Sequence, residues 1–429
     1  MTRSRCAVYS LATVALLALA ACRDGGREGI ELRFWAFGRE GELVRQLIPE
    51  FERAHPGVSV RVQQIPWSAA HEKLLTAYVG GGMPDLFQAG STWIPELVAL
   101  GAVAPLDARL DASPATHRDF FEGILSASQV AGRTYAVPWY VDTRVLFYRR
   151  DLLRTCGWDA PPAGWEEWRR ALACVKSRVG PRRYALLLPV TEWQVPVIFA
   201  WQHGARLLRG NAEYGNFRAG PFHQSFMFYL SFFRERLAPA EAEGQIANLY
   251  QDFAQGFFSA YITGPWNLGE FRTRLPEGLQ AAWDTAPMPG LGENEVGISI
   301  AGGASLALFS GSPHPEAAWQ LIEYLSAPEQ QLAFYQLSGD LPARRSAWAA
   351  GGLADMPRVR AFRRQLDRVR APPQIPEWER IAAKISQYAE AAVRGNLEPD
   401  GALAALERDV DAILAKRRWL LARSEGAPY

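Results

Sequence analysis

The chain has 429 residues, 12% of them aromatic, and 15 are Trp. Seven of these, Trp35, Trp67, Trp93, Trp139, Trp193, Trp266 and Trp378, follow or end strand-like and loop segments. The C-terminal ends of strands are where α/β folds hold their ligands. An indole face covers apolar C–H groups. Carboxylate, amide and guanidinium groups take hydroxyls, at about 1.5–3 kcal/mol for each hydrogen bond to a charged partner. Together they would hold a hydroxyl-rich solute. The competing role for any Trp is packing, because the side chain is large and mostly inside. Trp158, Trp165, Trp168, Trp283, Trp319 and Trp419 are expected to pack.

The usual tools of catalysis are not apparent. Gly303-Ala304-Ser305-Leu306-Ala307 misses the second Gly of a nucleophile elbow. His71-Glu72 is followed by Leu75 where a zinc protease needs its second His. The six His are scattered, no C-x-x-C occurs, and Gly80-Gly81-Gly82 leads into Met83 rather than a phosphate-loop Lys. Glu166-Glu167 and Glu241/Glu243 read as solvated faces. No metal site and no cofactor is expected. A glycosidase with paired carboxylates stays open, because its two acids need not be near in sequence.

Composition narrows the class. With 48% apolar and 21% charged residues the chain is globular in type. At roughly 100–200 residues per domain it should form two or three domains or two large lobes. Lys+Arg is 46 against 45 Asp+Glu, and without Arg3 and Arg5 the balance is 44 to 45. That neutrality argues against a nucleic-acid binder. Arg3 and Arg5 precede an apolar stretch from Ala7 to Ala21, shorter than a membrane span of about 20 residues, so residues 1–21 read as a signal peptide. Leu19-Ala20-Ala21-Cys22 resembles a lipobox, making Cys22 the lipidated first residue. The alternative is an ordinary signal with an incidental Cys. Residues 22–29 read as a flexible tether. In the oxidising compartment this implies, Cys156 and Cys174 are either bridged or two free thiols.

Several elements must position the candidate residues. Residues 32–37 alternate as a strand, 42–55 have helical spacing up to Pro56-Gly57, and 58–64 alternate again. A helix over 68–78, a strand over 85–88 and a helix over 94–100 follow. This β-α-β-α-β order predicts a mostly parallel sheet. Strands are expected near 135–140, 145–148, 184–188, 260–262 and within 297–309. Helices are expected at 165–175, 196–202, 222–236, 251–258, 315–325, 329–337, 357–369, 377–394 and 399–421.

Within these elements runs a collinear set of motifs. They include Phe51-Glu52-Arg53 with Pro56-Gly57-Val58, and Lys73-Leu74 with Gly82-Met83-Pro84-Asp85. Further along come Gly101-Ala102-Val103-Ala104-Pro105-Leu106-Asp107, Tyr135-Ala136-Val137-Pro138, and Phe147-Tyr148-Arg149-Arg150-Asp151. The set closes with Gly264-Pro265-Trp266, Gly302-Gly303 and Leu341-Pro342-Ala343-Arg344. In this order, over residues 30–415, the chain resembles bacterial extracellular solute-binding proteins, the family that includes maltose-binding and other sugar receptors of ABC importers.

The resemblance implies a two-lobe α/β fold with an interlobe cleft and a hinge that closes over ligand. The expected N-lobe is 30–137 with 288–328, and the C-lobe 138–287 with 329–420. It also implies a lipid-anchored, extracytoplasmic monomer, in the periplasm or on the outer face of the cell membrane, that hands a mono- or oligosaccharide to permease subunits without catalysis. The alternatives are an exported carbohydrate-active enzyme, or a receptor for another polar solute such as a glycerol-phosphate ester or a polyamine.

For the site, the resemblance favours Asp142 at the lobe crossing, with Tyr140 stacking or donating. Trp266 and Trp93 are the leading stacking planes, with Trp35, Trp193 and Trp378 behind them. Glu40, in the loop after the first strand, is a ligand group or an acid favouring a helix dipole. Gln64 and Ser91 are loop candidates. Arg144 is a ligand group or the partner of Asp142. Gly302 and Gly303 let the backbone approach a guest or mark a strand bulge. Where the family often has an aromatic residue after the Gly pair, this chain has Ala304-Ser305, so the exact sugar is not carried over.

Overall fold

Strand Ile30–Phe37 alternates with the two-residue period of a pleated strand, and both of its faces are buried. Leu32, Phe34 and Ala36 enter one hydrophobic cluster, Trp35 and Phe37 another. Burial on both sides suits a strand inside an α/β layer. The computed structural model describes residues 29–424 apart from 114–116, 242–247 and 293–294. The signal peptide and Cys22 lie outside the described residues.

The first lobe is built on a five-stranded sheet ordered Val58–Ile65, Ile30–Phe37, Leu86–Gly90, Gly302–Leu308, Val137–Asp142. The first three strands run parallel, but Gly302–Leu308 is antiparallel to both neighbours. Four of the five strands thus run the same way, as the β-α-β-α-β order predicts, and Gly302–Leu308 is the one reversed strand. It arrives from the other lobe, which the local β-α order cannot show. The second lobe carries an antiparallel sheet, Ala260–Thr263, Val145–Arg149, Trp283–Ala286, with its own core around Trp168, Phe199 and Trp378.

Other expected elements differ where proline or distant pairing intervenes. The helix expected over 42–55 is split into Glu40–Leu43, a 3₁₀ turn Val44–Gln46, and Ile48–Ala54. Pro49 lacks an N–H and suits only a first helical turn, so a new helix starts there. The segment expected as a strand at 184–188 makes only single bridges, Tyr184 to Phe258 and Leu187 to Tyr261. The N–H groups of Ala185 and Leu186 both turn to Leu237 O instead of alternating. The helix expected over 357–369 shrinks to Arg360–Gln365, and Val369–Arg370 pairs in parallel with Ser299–Ile300. The last expected helix is divided into Pro399–Ile413 and Ala415–Ser424.

Successive strands Val137–Asp142 and Val145–Arg149 belong to different sheets, so Thr143-Arg144 is a crossing between lobes. The return crossing, after Trp283–Ala286, lies beside it. Ser299 Oγ accepts from Arg144 N (3.2 Å) and donates to Arg144 O (2.8 Å). Buried Gln365 clips the same region, accepting from Met288 N and donating to Gly297 O, both at 2.8 Å. Cys156 and Cys174 are bridged, with Cα atoms 6.0 Å apart, tying helix Trp165–Val179 to the loop after Arg150–Arg154.

Candidate functional site

A cavity of about 470 Å³ opens beside the crossing, lined by both lobes. The first lobe contributes residues that follow its strand ends. After Ile30–Phe37 the chain turns at Gly38, which has φ +55°, and Glu40 begins the next helix. A Cβ on Gly38 would lie 2.5 Å from the Trp67 ring. Trp67 Nε1 and Tyr140 OH each donate to Glu40, at 3.3 Å. Tyr140 OH accepts from Gln88 Nε2 (2.8 Å), and Gln88 Oε1 accepts from Phe37 N (2.7 Å). Burial raises the Glu40 pKa, and these hydrogen bonds offset only part of that rise. Burial and the nearby Glu40, Asp340 and Asp142 push the Tyr140 phenol well up.

Strand Leu86–Gly90 ends in the turn Ser91-Thr92-Trp93, and all three of these residues line the cavity. Trp93 packs against Phe37 and, edge-on, Trp67, with ring centroids 5.7 and 5.5 Å away. On its other side lies His71, whose Nε2 sits 2.8 Å from Glu96 Oε2.

At the crossing, Arg144 Nη1 donates to Asp142 Oδ1 at 2.7 Å. Burial raises the Asp142 pKa despite this partner. The Arg144 guanidinium lies 4.7 Å from the Trp266 ring. Arg144 is thus both the partner of Asp142 and part of the cavity wall. Trp266 opens helix Trp266–Arg274, and its ring folds back over Gly264, where a Cβ would stand 1.9 Å from the indole.

Gly302 and Gly303 pair with Asp142 and Val141, and the ladder shifts register just beyond them. Gly303 has φ +145°, and a Cβ there would meet Tyr140 O at 2.2 Å. The pair lies beside a bulge and forms half-buried backbone in the cavity wall.

The structure gathers Glu40, Ser91, Trp93, Tyr140, Asp142, Trp193, Trp266, Gly302 and Gly303 at the cavity. Trp35, Gln64 and Trp378 are elsewhere. Trp35 points into the first-lobe core, with Lys73 Nζ 5.0 Å from its ring. Gln64 is exposed and donates to Gly38 O at 2.7 Å. Trp378 is fully buried in the second core and supports Trp193 edge-on at 5.2 Å. Trp139 is also core, stacked on Phe334 at 4.4 Å.

Thr92, Gln194 and Glu379 line the cavity without having been singled out. Gln194 and Glu379 each directly follow a Trp at a helix start, which is the one local signal that marked them. Gln194 Oε1 and Glu379 Oε1 are buried without a hydrogen-bond partner among the described residues. Both residues line the cavity, and a buried acceptor left unmet calls for a partner. Among the described residues, no group of three or more His, Cys, Asp or Glu is placed to hold a metal ion.

The sequence pattern of bacterial extracellular solute-binding proteins matches residues 38–332. Among solved structures the chain is similar to the sugar-binding protein MalE of the phytopathogen Xanthomonas citri. The two are 44% identical with a TM-score of 0.85, over 93% of this chain and 100% of that one. A solute-binding protein of Thermotoga lettingae, solved with α-D-tagatose, shares the fold at 23% identity and TM-score 0.79, over 90% of this chain and 100% of that one. A galactooligosaccharide-binding protein of Bacillus subtilis is 22% identical over 415 residues, 93% of this chain and 94% of that one.

Proposed function

The chain belongs to the bacterial extracellular solute-binding protein family, and from that premise we propose that it is the carbohydrate receptor of an ABC importer. It closes over a mono- or oligosaccharide between its lobes and hands it to a membrane permease chemically unaltered. The observation that carries this reading is the composition of the cavity. Trp67 and Trp93 from one lobe and Trp193 and Trp266 from the other surround acceptors on Glu40, Asp142, Gln194 and Glu379. Indoles cover the C–H faces of a pyranose, and the acceptors take its hydroxyls. The similarity to MalE of Xanthomonas citri supports the same substrate class.

A glycerol-phosphate ester fits less well. Among the described residues Arg144 is the one cationic side chain in the cavity wall, and it is already committed to Asp142. Cys22 carries the lipid that keeps the mature monomer near its permease, outside the cytoplasm. Several acyl chains, at about 0.8 kcal/mol per buried CH₂, give stable anchoring. Cys22→Ser should then release the protein from the membrane fraction.

The deciding experiment is a thermal-shift screen of the mature chain against neutral sugars, sugar phosphates and polyamines. A guest at 100 times its dissociation constant adds about 2.7 kcal/mol. A response confined to phosphates or polyamines overturns the carbohydrate assignment. Recovery of a cleaved sugar from the complex overturns the non-enzymatic one.

A further inference from the structure

Trp266, Glu270 and Arg274 recur at intervals of four on helix Trp266–Arg274, so they share one side of it. Trp266 belongs to the cavity wall and Glu270 does not. Glu270 is buried, at 7% exposure, and its carboxylate lies between two guanidinium groups. Arg274 Nε donates to Oε2 from the same helix, and Arg274 also lies 5.1 Å over the Tyr250 ring. Arg39 Nη1 donates to Oε1. Arg39 comes from the first lobe, between the turn at Gly38 and the cavity residue Glu40. The ion pair therefore joins the lobes from behind the cavity, one residue from Glu40 and one helical turn from Trp266.

Gly269 sets the height of the same helix above the first lobe. A Cβ there would lie 2.6 Å from Ser338 O, so the helix rests on bare backbone. That backbone runs on to Leu341, whose O accepts from Val141 N at 2.9 Å, and to Pro342, which bridges to Tyr140. Tyr140 and Val141 belong to the first-lobe sheet. A backbone contact at one glycine fixes a distance but only weakly the roll of the helix about its axis. The ion pair acts on that roll. Successive helical residues are about 100° apart, so Trp266 and Glu270 project about 40° from each other. A roll that separated Glu270 from Arg39 would carry the Trp266 ring along with it.

We propose that Arg39 and Glu270 are positioning residues of the receptor. Their ion pair between the lobes sets the roll of helix Trp266–Arg274, and so the angle at which the Trp266 ring meets a guest held opposite by Glu40. Neither residue touches the guest. The proposal rests on the carbohydrate-receptor reading and adds to it a pair outside the cavity wall. Glu270 keeps Arg274 when Arg39 is lost, so no bare buried charge is created and the fold survives the change. Arg39 is exposed, and an ion pair with an exposed partner is modest in strength and weakened by salt. Its loss is therefore worth about three- to fivefold in Kd rather than abolition of binding.

The test uses the mature chain and the tightest binder among maltose, trehalose, sucrose and lactose. Arg39→Met and Glu270→Gln should each weaken binding about three- to fivefold in calorimetric titration, and the double variant no more than either alone. Arg39→Lys, which keeps the charge, should recover part of the loss. Raising NaCl from about 0.01 to about 1 M shortens the screening length from about 30 to about 3 Å. That should weaken binding to wild type by a similar factor and leave Arg39→Met unchanged. A merely structural role would not make the effect depend on the indole. In a Trp266→Ala background, Arg39→Met should change affinity no further. Folded Arg39→Met with wild-type affinity, or with a loss that adds in full to that of Trp266→Ala, overturns the positioning role. NMR of the guest-free protein separates this role from the receptor reading, with the Trp266 indole N–H assigned by its absence in Trp266→Ala. That signal should shift alike in Arg39→Met and Glu270→Gln, and an unmoved signal in both overturns the proposal. If it shifts while the chain binds no sugar, the positioning role stands and the carbohydrate reading fails.

Discussion

Trp266 is the indole whose position the structure constrains most. Its ring lies against the backbone of Gly264, and the Arg144 guanidinium occupies one side at 4.7 Å. On the proposed function, a sugar would stack on the face that Arg144 leaves open. Replacing the ring in Trp266→Ala removes about 80 Å² of apolar contact, counting indole and pyranose together, worth about 2 kcal/mol at ~25 cal/mol/Å². That is roughly 30-fold in Kd. The fold should lose less, because Arg144 forfeits only a cation–π contact of about 0.5–2 kcal/mol and keeps its bond to Asp142. Gly264→Ala tests the same contact without removing the indole. A Cβ 1.9 Å from the ring must push it aside, so affinity should fall by a similar factor. Calorimetric titration with the sugar found by thermal shift reads both variants, and circular dichroism checks their folding. Folded Trp266→Ala with wild-type affinity would refute stacking at this ring. Folded Gly264→Ala with wild-type affinity would show that the ring's placement is not what matters.

Four other substitutions address the scaffold. Asp142→Asn leaves a nearly buried guanidinium without its counter-charge and should cost about 3–5 kcal/mol in urea unfolding. The double variant Asp142→Asn/Arg144→Met should cost less than the two single losses added together, and strict additivity would contradict coupling of the pair. Gly303→Ala forces a methyl to within 2.2 Å of Tyr140 O at φ +145°. It should destabilise by at least about 1–3 kcal/mol from backbone strain alone, and wild-type stability would contradict the close approach. Cys156→Ser opens a loop with a sequence separation of 18 and should lower unfolding free energy by about 3 kcal/mol while leaving affinity intact, since neither Cys lines the cavity. Loss of sugar binding in a folded variant would show that the bridge also shapes the site.

Much of the fold was legible because its repeat is local. The alternation of Leu32, Phe34 and Ala36, and the spacing of the helix ending at Leu100, need only neighbours along the chain. Failures came where the partner is distant. Val369–Arg370 is a strand only because Ser299–Ile300 lies beside it. Gly302–Leu308 runs against the rest of the first sheet because it returns from the other lobe. The first lobe's sheet also takes in all of Val137–Asp142, so the chain leaves that sheet at Thr143-Arg144. Composition does not mark that point, since Asp142 and Arg144 look like any exposed charged pair until burial gives them a purpose.

The site was legible at strand ends and obscure on helices, for a geometric reason. A residue just past a strand is carried to the sheet's edge whatever follows, which brings Glu40, Ser91 and Trp93 to the cavity. Along a strand, direction flips at each residue, so Trp35 had equal claim to either face, and the helices covering it settled the matter. On a helix each residue turns about 100° from the last. Trp378 and Glu379 are adjacent, yet the first is sealed in the second core and the second faces the cavity. An indole at a helix start therefore marks a place near the cleft without naming the residue that enters it. Here the Trp supports Trp193 from behind, and the residue one position on lines the cavity. Aromatic residues alone can then misdirect a search for ligand groups in such clefts, since some of them serve to aim their neighbours. Substituting Trp378 should weaken binding only by loosening Trp193 and Glu379.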